Sequence, residues 1–148
     1  MSVQQILPGA RSSLLLDLGT LASGTYITSA AMNLGSPMPI DRVIEVVADP
    51  NGSPSSTNKC LFIFAKFSLD NTNWGSGPES GTTATIEADL HPIGQLPCDD
   101  TSEHRKFFSL FGGYRPWCRY AKIVVKNDLG VALTGGSLYY SDVTGSIV

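Results

Sequence analysis

Apolar side chains occupy every odd position from 61 to 69, and this period of two predicts a β-strand with one face on a hydrophobic core. These positions hold Leu61, Ile63, Ala65, Phe67 and Leu69. The even positions change from the aromatic Phe62 and Phe64 to Lys66, Ser68 and Asp70. Because exposed phenylalanines bring no benefit to a soluble monomer, we expect Phe62 and Phe64 to be covered by a second sheet or by another subunit. A polar turn, residues 70–74, follows the strand and ends at Trp74.

Further short apolar or alternating runs, separated by clusters of Gly, Pro, Asn, Asp and Ser, predict an all-β chain. About eight strands are expected, at residues 13–18, 25–34, 42–48, 60–70, 82–90, 105–111, 120–126 and 137–143. Their spacing is typical of an antiparallel β-sandwich. Residues 42–48 are apolar on both faces apart from Glu45, which favours a central strand.

The assignment is clear for one segment and open for another. In residues 82–90 the alternation is clean, and it predicts that Ala84, Ile86, Ala88 and Leu90 face the core. Residues 102–110 are the best helical candidate, although they fit a strand about as well. No other segment has the pattern of a helix of two or more turns.

The chain of 148 residues has the size of one ordinary domain and shows no linker or internal repeat. We expect a single β-sandwich domain over residues 12–148 and an extended, mobile N-terminal arm over residues 1–11. Pro8 and Gly9 lie before the first strand. An arm that does not pack on its own domain is often held by a neighbour, so we expect this one to contact another subunit.

The composition favours assembly over nucleic-acid binding. Only 16% of the residues are charged against 42% hydrophobic, so much of the surface is made of uncharged Ser, Thr, Asn and Gly. The net charge of −3 and the scattered basic residues argue against direct contact with nucleic acid.

The cysteines and the first residues indicate a protein that is not secreted through a membrane. Cys60, Cys98 and Cys118 are odd in number and widely spaced, so we expect reduced thiols. Residues 1–19 lack the basic and apolar regions of a signal peptide, and no apolar run is long enough to span a membrane.

A search for chemistry predicts no catalytic residue, no metal site and no cofactor. His91 and His104 have no partners at ligand spacing and are expected to be solvated loop histidines. The acidic residues 98–103 and 70–73 could supply oxygen ligands to calcium, but they lack the order of a calcium loop and are interpreted as turns. The cysteines have no activating neighbour beyond Arg119, next to Cys118. We therefore expect a protein that is not an enzyme.

The chain is rich in aromatic residues, most of which are expected to fill the core and ends of the sandwich. Trp74 and Trp117 lie in loops rich in Gly or Pro and are the strongest candidates for contact residues. Exposed tryptophans stack on sugar rings or anchor protein interfaces.

Four pieces of sequence, residues 64–74, 91–97, 104–110 and 119–130, together resemble small virion structural proteins of tailed bacteriophages. In particular, they resemble the capsid cement or decoration proteins, which have a jelly-roll-like β-sandwich. The resemblance covers roughly residues 42–143.

This resemblance implies a non-enzymatic protein that binds the outer surface of the major capsid shell, bridges neighbouring subunits and stabilises the head. It implies the major capsid protein as partner, a homo-oligomer (trimer or dimer), assembly in the bacterial host cytoplasm and a final place on the virion. Candidate residues for the subunit or capsid interface are Gln4, Gln5, Ile6, Leu7, Arg11, Phe62, Phe64, Trp74, Tyr114, Arg115 and Trp117.

Two other functions are kept as alternatives. A tail, baseplate or fibre component would bind a receptor or glycan, with Trp74 or Trp117 stacking on the saccharide. A small hydrolase would need a catalytic group that the sequence does not reveal.

Overall fold

The computed structural model describes residues 3–113 and 116–147, which form two antiparallel sheets of five strands each. The strands are β1 (Gln4–Pro8), β2 (Ser12–Asp17), β3 (Tyr26–Thr28), β4 (Met32–Asn33), β5 (Asp41–Pro50), β6 (Cys60–Ser68), β7 (His91–Pro97), β8 (His104–Ser109), β9 (Tyr120–Asp128) and β10 (Leu133–Ile147). The expected all-β sandwich is confirmed.

The strand order is that of a jelly roll. In the first sheet β1 and β2 both pair with the outer side of β10, and β5 and β8 follow. In the second sheet β3 and β4 pair with β9, and β6 and β7 follow. Consecutive strands from β2 to β10 cross from one sheet to the other, except for the pairs β3–β4 and β6–β7, which stay in the second sheet, as in the double Greek key of this architecture. β1 is an additional edge strand.

The core lies between the two sheets and is built by alternate residues of each strand. Leu61, Ile63 and Ala65 of β6 have no exposed surface, as the period of two predicts. Ile44 and Leu138 meet them from the first sheet and are equally buried. Leu69 is the exception on the odd face of β6, since it lies beyond the end of the strand and is 78% exposed.

Most strands are found where the sequence predicts them. β5 lies between β10 and β8, so the central position expected for residues 42–48 is confirmed. The run at 25–34 forms two short strands, β3 and β4, with a break between them. Segment 102–110 contains strand β8 and not a helix.

The prediction of a strand at residues 82–90 is wrong. This segment consists of turns and a single 3₁₀ turn, Glu87–Asp89, and it lies outside the sandwich. Of the four residues expected to face the core, only Leu90 is buried, and Ile86 is exposed with a left-handed backbone (φ 58°). Apolar and polar residues alternate here as in a strand, but no described strand pairs with this segment.

Directly after this segment the chain forms β7, a strand that the hydrophobic pattern does not predict. Pro92, Gly94 and Pro97 interrupt it, and prolines are tolerated in a sheet only at an edge. Gly94 also lets the two sheets approach, because a Cβ there would lie 2.6 Å from the ring of Phe108.

Residues 4–8 are not a free arm. Gln4–Pro8 is extended, as expected, but it pairs with residues 143–147 of β10 in the same chain. All five of its residues are exposed. Contact between this segment and a neighbouring subunit stays a prediction. Within the described residues, no helix is long and apolar enough to cross a membrane.

Candidate interaction surfaces

The outer face of the second sheet is covered by the chain itself. Phe64 is buried together with Tyr26, Leu90 and Val124, and Phe62 packs against this cluster and is partly buried. The cover is the loop between β6 and β7, residues 69–90, and not the second sheet or another subunit that the sequence led us to expect. Phe62 and Phe64 are therefore accounted for by packing within the chain.

Two ion-pair clusters hold this covering loop in place. In the first, Lys66 of β6 donates to the carboxylate of Glu79 at 3.0 Å and to the carbonyl of Gly77 at 2.9 Å. Lys122 of β9 reaches the same carboxylate at 3.4 Å. Burial opposes ionisation of Glu79, but the hydrogen bond from Lys66 and the two lysine charges outweigh it, and the pKa of Glu79 is lowered.

The second cluster lies at the other end of the loop. Lys126 of β9 donates to the Glu87 carboxylate at 2.9 Å, and the hydroxyl of Tyr26 donates to the same oxygen. Burial would raise the pKa of Glu87, but these two donors lower it. Each cluster thus pairs a loop carboxylate with lysines that project from the sheet.

The turn after β6 is organised by Asp70. Its carboxylate accepts hydrogen bonds from the backbone N–H groups of Asn73 and Thr72 and from the side chain of Asn73, which lower the pKa of Asp70. The interpretation of residues 70–73 as a turn is confirmed. Trp74 is partly buried, and the ammonium group of Lys122 lies 4.3 Å from the centre of its ring. One contact surface of Trp74 is therefore already used by the protein.

In contrast, no loop covers the outer face of the first sheet in the described part of the chain. We call this surface the open face; it consists of Arg11, Val43, Glu45, Arg105, Phe107 and Tyr139. Glu45 of β5 is buried between two arginines, with 2.8 Å to Arg11 Nε and 2.9 Å to Arg105 Nη1. The hydrogen bond from Arg11 is the main cause of the lowered pKa of Glu45.

Aromatic groups flank this charged centre. The guanidinium carbon of Arg11 lies 3.4 Å from the centre of the Tyr139 ring, and Phe107 of β8 is 60% exposed. A shallow cleft of about 480 Å³ runs between Arg11, Glu45 and Phe107. Of these residues, sequence reasoning singled out only Arg11. For the rest of the open face, the sequence offers one signal, the charged Glu45 within an otherwise apolar strand.

A second cleft, of about 540 Å³, lies at one end of the sandwich between β1 and residues 33–40. Arg42 and Asp142 line it and form an ion pair of 2.5 Å, with the Arg42 guanidinium carbon 4.4 Å from the centre of the Tyr140 ring. The guanidinium group of Arg42 donates to both carboxylate oxygens of Asp142, so each charge in this cleft has its partner within the chain.

The candidate residues near the N-terminus lie on β1. Gln4, Gln5, Ile6 and Leu7 are all exposed, and Ile6 is 67% exposed. They lie near the cleft at the end of the sandwich and apart from Phe62, Phe64 and Trp74, which belong to the second sheet and its loop. The predicted interface residues therefore do not form one surface.

Trp117 lies in the loop between β8 and β9 and is 66% exposed. Its ring is stacked on Phe111, with 5.0 Å between ring centres and 15° between planes. The interface candidates Tyr114 and Arg115 lie in the same loop but outside the described residues.

Both histidines lie on strands and are partly buried, so the expectation of solvated loop histidines is wrong. His91 begins β7 and packs edge-on against Phe67 at 5.1 Å. His104 begins β8, and its Nε2 lies 3.1 Å from a carboxylate oxygen of Asp100. Asp99 joins these two as a possible set of metal ligands, but Asp100 is also engaged by Ser102, as in a turn.

The three cysteines are free thiols, as expected. Cys60 and Cys98 are buried, and burial raises the pKa of Cys98 to about 12. A thiol with a raised pKa is a poor nucleophile.

No protein-family model matches the chain, and no curated protein matches it. Among solved structures, it has a likeness to the crystal structure of a carbohydrate-binding module, CBM28, that is specific for non-crystalline cellulose. The two are 12% identical with a TM-score of 0.32, and the match covers 97% of this chain and 65% of that one. At this TM-score the likeness carries no argument, and the fold assignment rests on the strand pairing of this chain.

Proposed function

We propose that this protein is a non-enzymatic structural protein of a tailed-bacteriophage virion, and specifically a cement protein on the outer surface of the major capsid shell. The observation that carries the proposal is the open face. It is one broad side of the sandwich that the described residues leave without a covering loop, whereas the loop 69–90 covers the opposite side. An uncovered sheet face of this kind suits contact with another large protein surface.

The chemistry of the open face fits a protein partner. Phe107 offers an exposed aromatic anchor, and arginine and aromatic residues contribute most strongly to protein interfaces. Arg11 and Arg105 are held in place by Glu45, so little conformational freedom is lost when they bind. The partner would be the major capsid protein, and many copies bound to the assembled shell would stabilise it by mass action.

The proposal is tested with phage heads that lack the protein. Purified protein is added to such heads, and bound copies are measured after sedimentation. We expect saturable binding and heads that resist heat better once occupied. Phe107→Asp is expected to weaken binding at least about tenfold, because it replaces the exposed aromatic anchor of the interface with a charge.

Leu69→Asp is the matched control, since it places the same charge on an exposed leucine at the start of the loop that covers the opposite sheet. It should bind like the unchanged protein. Presence of the protein in purified tails, together with its absence from tailless heads, would contradict the proposal.

A second candidate function is a tail, baseplate or fibre component that binds a receptor or glycan. The exposed ring of Trp117, held flat by Phe111, favours it, because such a platform suits stacking against a sugar ring. Trp117→Ala phage would then adsorb poorly to the host while the heads keep their stability. Trp74→Ala is the comparison, since Lys122 already lies over the Trp74 ring.

A further inference from the structure

The two sheets have four edges, and three of them are protected against pairing with another strand. β8 carries His104, Arg105 and Lys106 in succession, and charged side chains block an edge. β7 contains two prolines and a register shift, and the β3–β4 edge is short and interrupted. These features are the usual ways in which proteins prevent edge-to-edge association.

The edge formed by β1 has no charged residue. Its sequence is Gln-Gln-Ile-Leu-Pro, and apolar side chains lie exposed on and around it, namely Val3, Ile6, Leu7 and Ile40. β2 continues the same edge after residues 9–11 and ends in Asp17. Within the described chain, β1 is thus the edge without charged residues or a register shift, and its one proline, Pro8, lies at its end.

The register shows which backbone groups of β1 are free. Gly9 N–H donates to the carbonyl of Asp142, and bonded and non-bonded pairs alternate along an antiparallel ladder. Leu7 and Gln5 therefore bond to β10, whereas the backbone groups of Gln4, Ile6 and Pro8 point away from it. Pro8, which has no N–H, occupies a position where none is needed for the bonds within the chain.

We propose that β1 pairs antiparallel with β1 of a second copy of this chain about a two-fold axis through Ile6, so that two first sheets become one continuous sheet. In this register the two Ile6 residues exchange both of their backbone hydrogen bonds. Gln4 N–H of each copy donates to the Pro8 carbonyl of the other. The missing N–H of Pro8 leaves only the Gln4 carbonyl, at the end of the ladder, to water.

A second copy fits this edge for two reasons. A two-fold axis through Ile6 sets each Pro8 opposite Gln4 at the end of a short ladder, where water replaces the missing bond. The uncharged strand also meets its own copy without opposing like charges, in a chain with a net charge of −3. The Ile6 side chains then lie side by side at the centre of the pair. Such an interface is small, so we expect a dimer that dissociates on dilution.

The test uses proline to remove single N–H groups from the free side of β1. Gln4→Pro removes an outward N–H and leaves the bonds to β10 in place. Gln4→Ala is the matched control, because it removes the same side chain and keeps the N–H. Sedimentation equilibrium from micromolar to near-millimolar concentration measures the dimer dissociation constant for each variant.

We expect the full chain and Gln4→Ala to dimerise alike, and Gln4→Pro to raise the dissociation constant at least about tenfold, since two symmetric hydrogen bonds are lost. Ile6→Pro, which also removes the central side chain, should abolish the dimer. A chain that is monomeric at every concentration would overturn the proposal, and so would a dimer that both proline variants leave unchanged.

The same variants separate this proposal from the proposed function. If the monomeric chain binds heads and Gln4→Pro prevents it, the edge pairs with a capsid strand and not with a second copy. If the chain dimerises through β1 but does not bind heads, the dimer stands and the cement function fails.

Discussion

Asn127 shows how one buried side chain joins distant parts of the fold. It has no exposed surface, and its amide nitrogen donates to the carbonyls of Leu21 and Val131, each at 2.9 Å. Its side-chain oxygen accepts from the N–H of Leu129 at 2.9 Å. The side chain thus ties the turn after β9 to the segment that follows β2, over a hundred residues earlier.

We predict that Asn127→Ala lowers the free energy of unfolding by about 3 kcal/mol, because three hydrogen bonds are lost and their backbone partners stay buried. Urea unfolding measures the change. The control is Asn58→Ala, which removes an exposed amide that donates to Asp128 at 2.5 Å and should cost less than about 1 kcal/mol. Equal effects of the two substitutions would contradict this account.

Sequence reasoning finds neither the role of Asn127 nor the centre of the open face. Asn127 looks like an ordinary turn residue next to Asp128, since its partner Leu21 is remote in sequence. Glu45 stood out as a polar residue in an apolar strand. Its partners Arg11 and Arg105 could not be inferred, because they depend on which strands flank β5.

At the scale of elements, the strand β6 was predictable on one face and not on the other. Its odd face follows from local alternation, since every strand of a sandwich needs one buried face. Its even face is covered by residues 69–90, whose Leu90 packs beside Phe64. No local pattern reports such a contact, and the alternation at 82–90 pointed to a strand that does not exist.

We predict that the covering loop depends on Glu79 more than on Lys66. Lys66 is buried, with 8% of its side chain exposed, so Glu79→Gln leaves a buried ammonium without its anion. For a fully buried pair this costs about 3–5 kcal/mol, and because Glu79 itself is partly exposed we expect about 2 kcal/mol. Lys66→Met removes the charge as well as the need for a partner and should cost less than about 1 kcal/mol.

Urea unfolding of both variants and of the double variant checks this order. The double variant should be no less stable than Glu79→Gln alone, since the unpaired charge is gone. A larger cost for Lys66→Met than for Glu79→Gln would contradict this order, because it would show that the ammonium group holds the loop through the Gly77 carbonyl more than through the Glu79 carboxylate.

The same carboxylates make the loop sensitive to acid. The pKa values of Glu79 and Glu87 are lowered by their lysine and tyrosine donors, so their contribution is complete above the unfolded value of about 4.3 and is lost as the pH falls through the lowered values. The protection of residues 71–90 against hydrogen exchange, relative to the intrinsic rate at each pH, should therefore fall below about pH 4 before that of β6. Glu79→Gln should show part of this loss of protection at neutral pH.

At the scale of the molecule, the two-layer sandwich followed from the number and spacing of the apolar runs. The jelly-roll order did not follow from those runs, because it depends on pairs such as β10 with β5 and β6 with β9 that join distant parts of the chain. The sequence pattern predicts only residues 137–143 of β10, which extends over Leu133–Ile147. Its last residues pair with β1, for which the pattern predicts a mobile arm.

The position of β1 outside the core leads to a prediction for the whole molecule. Among the described residues, deletion of residues 1–8 removes only exposed ones and backbone bonds at a sheet edge, so the melting temperature should fall by less than about 3 °C. Leu16→Ala in β2, which empties part of the core, should cost about 2–5 kcal/mol and lower the melting temperature by more than about 6 °C. Calorimetry at a concentration low enough to dissociate any dimer compares the two, since dimerisation through β1 would otherwise add to the stability of the longer chain. A fall on deletion as large as that of Leu16→Ala would mean that β1 belongs to the cooperative core of the fold, whereas the small loss expected here would mean that β1 adds little to the stability of the monomer.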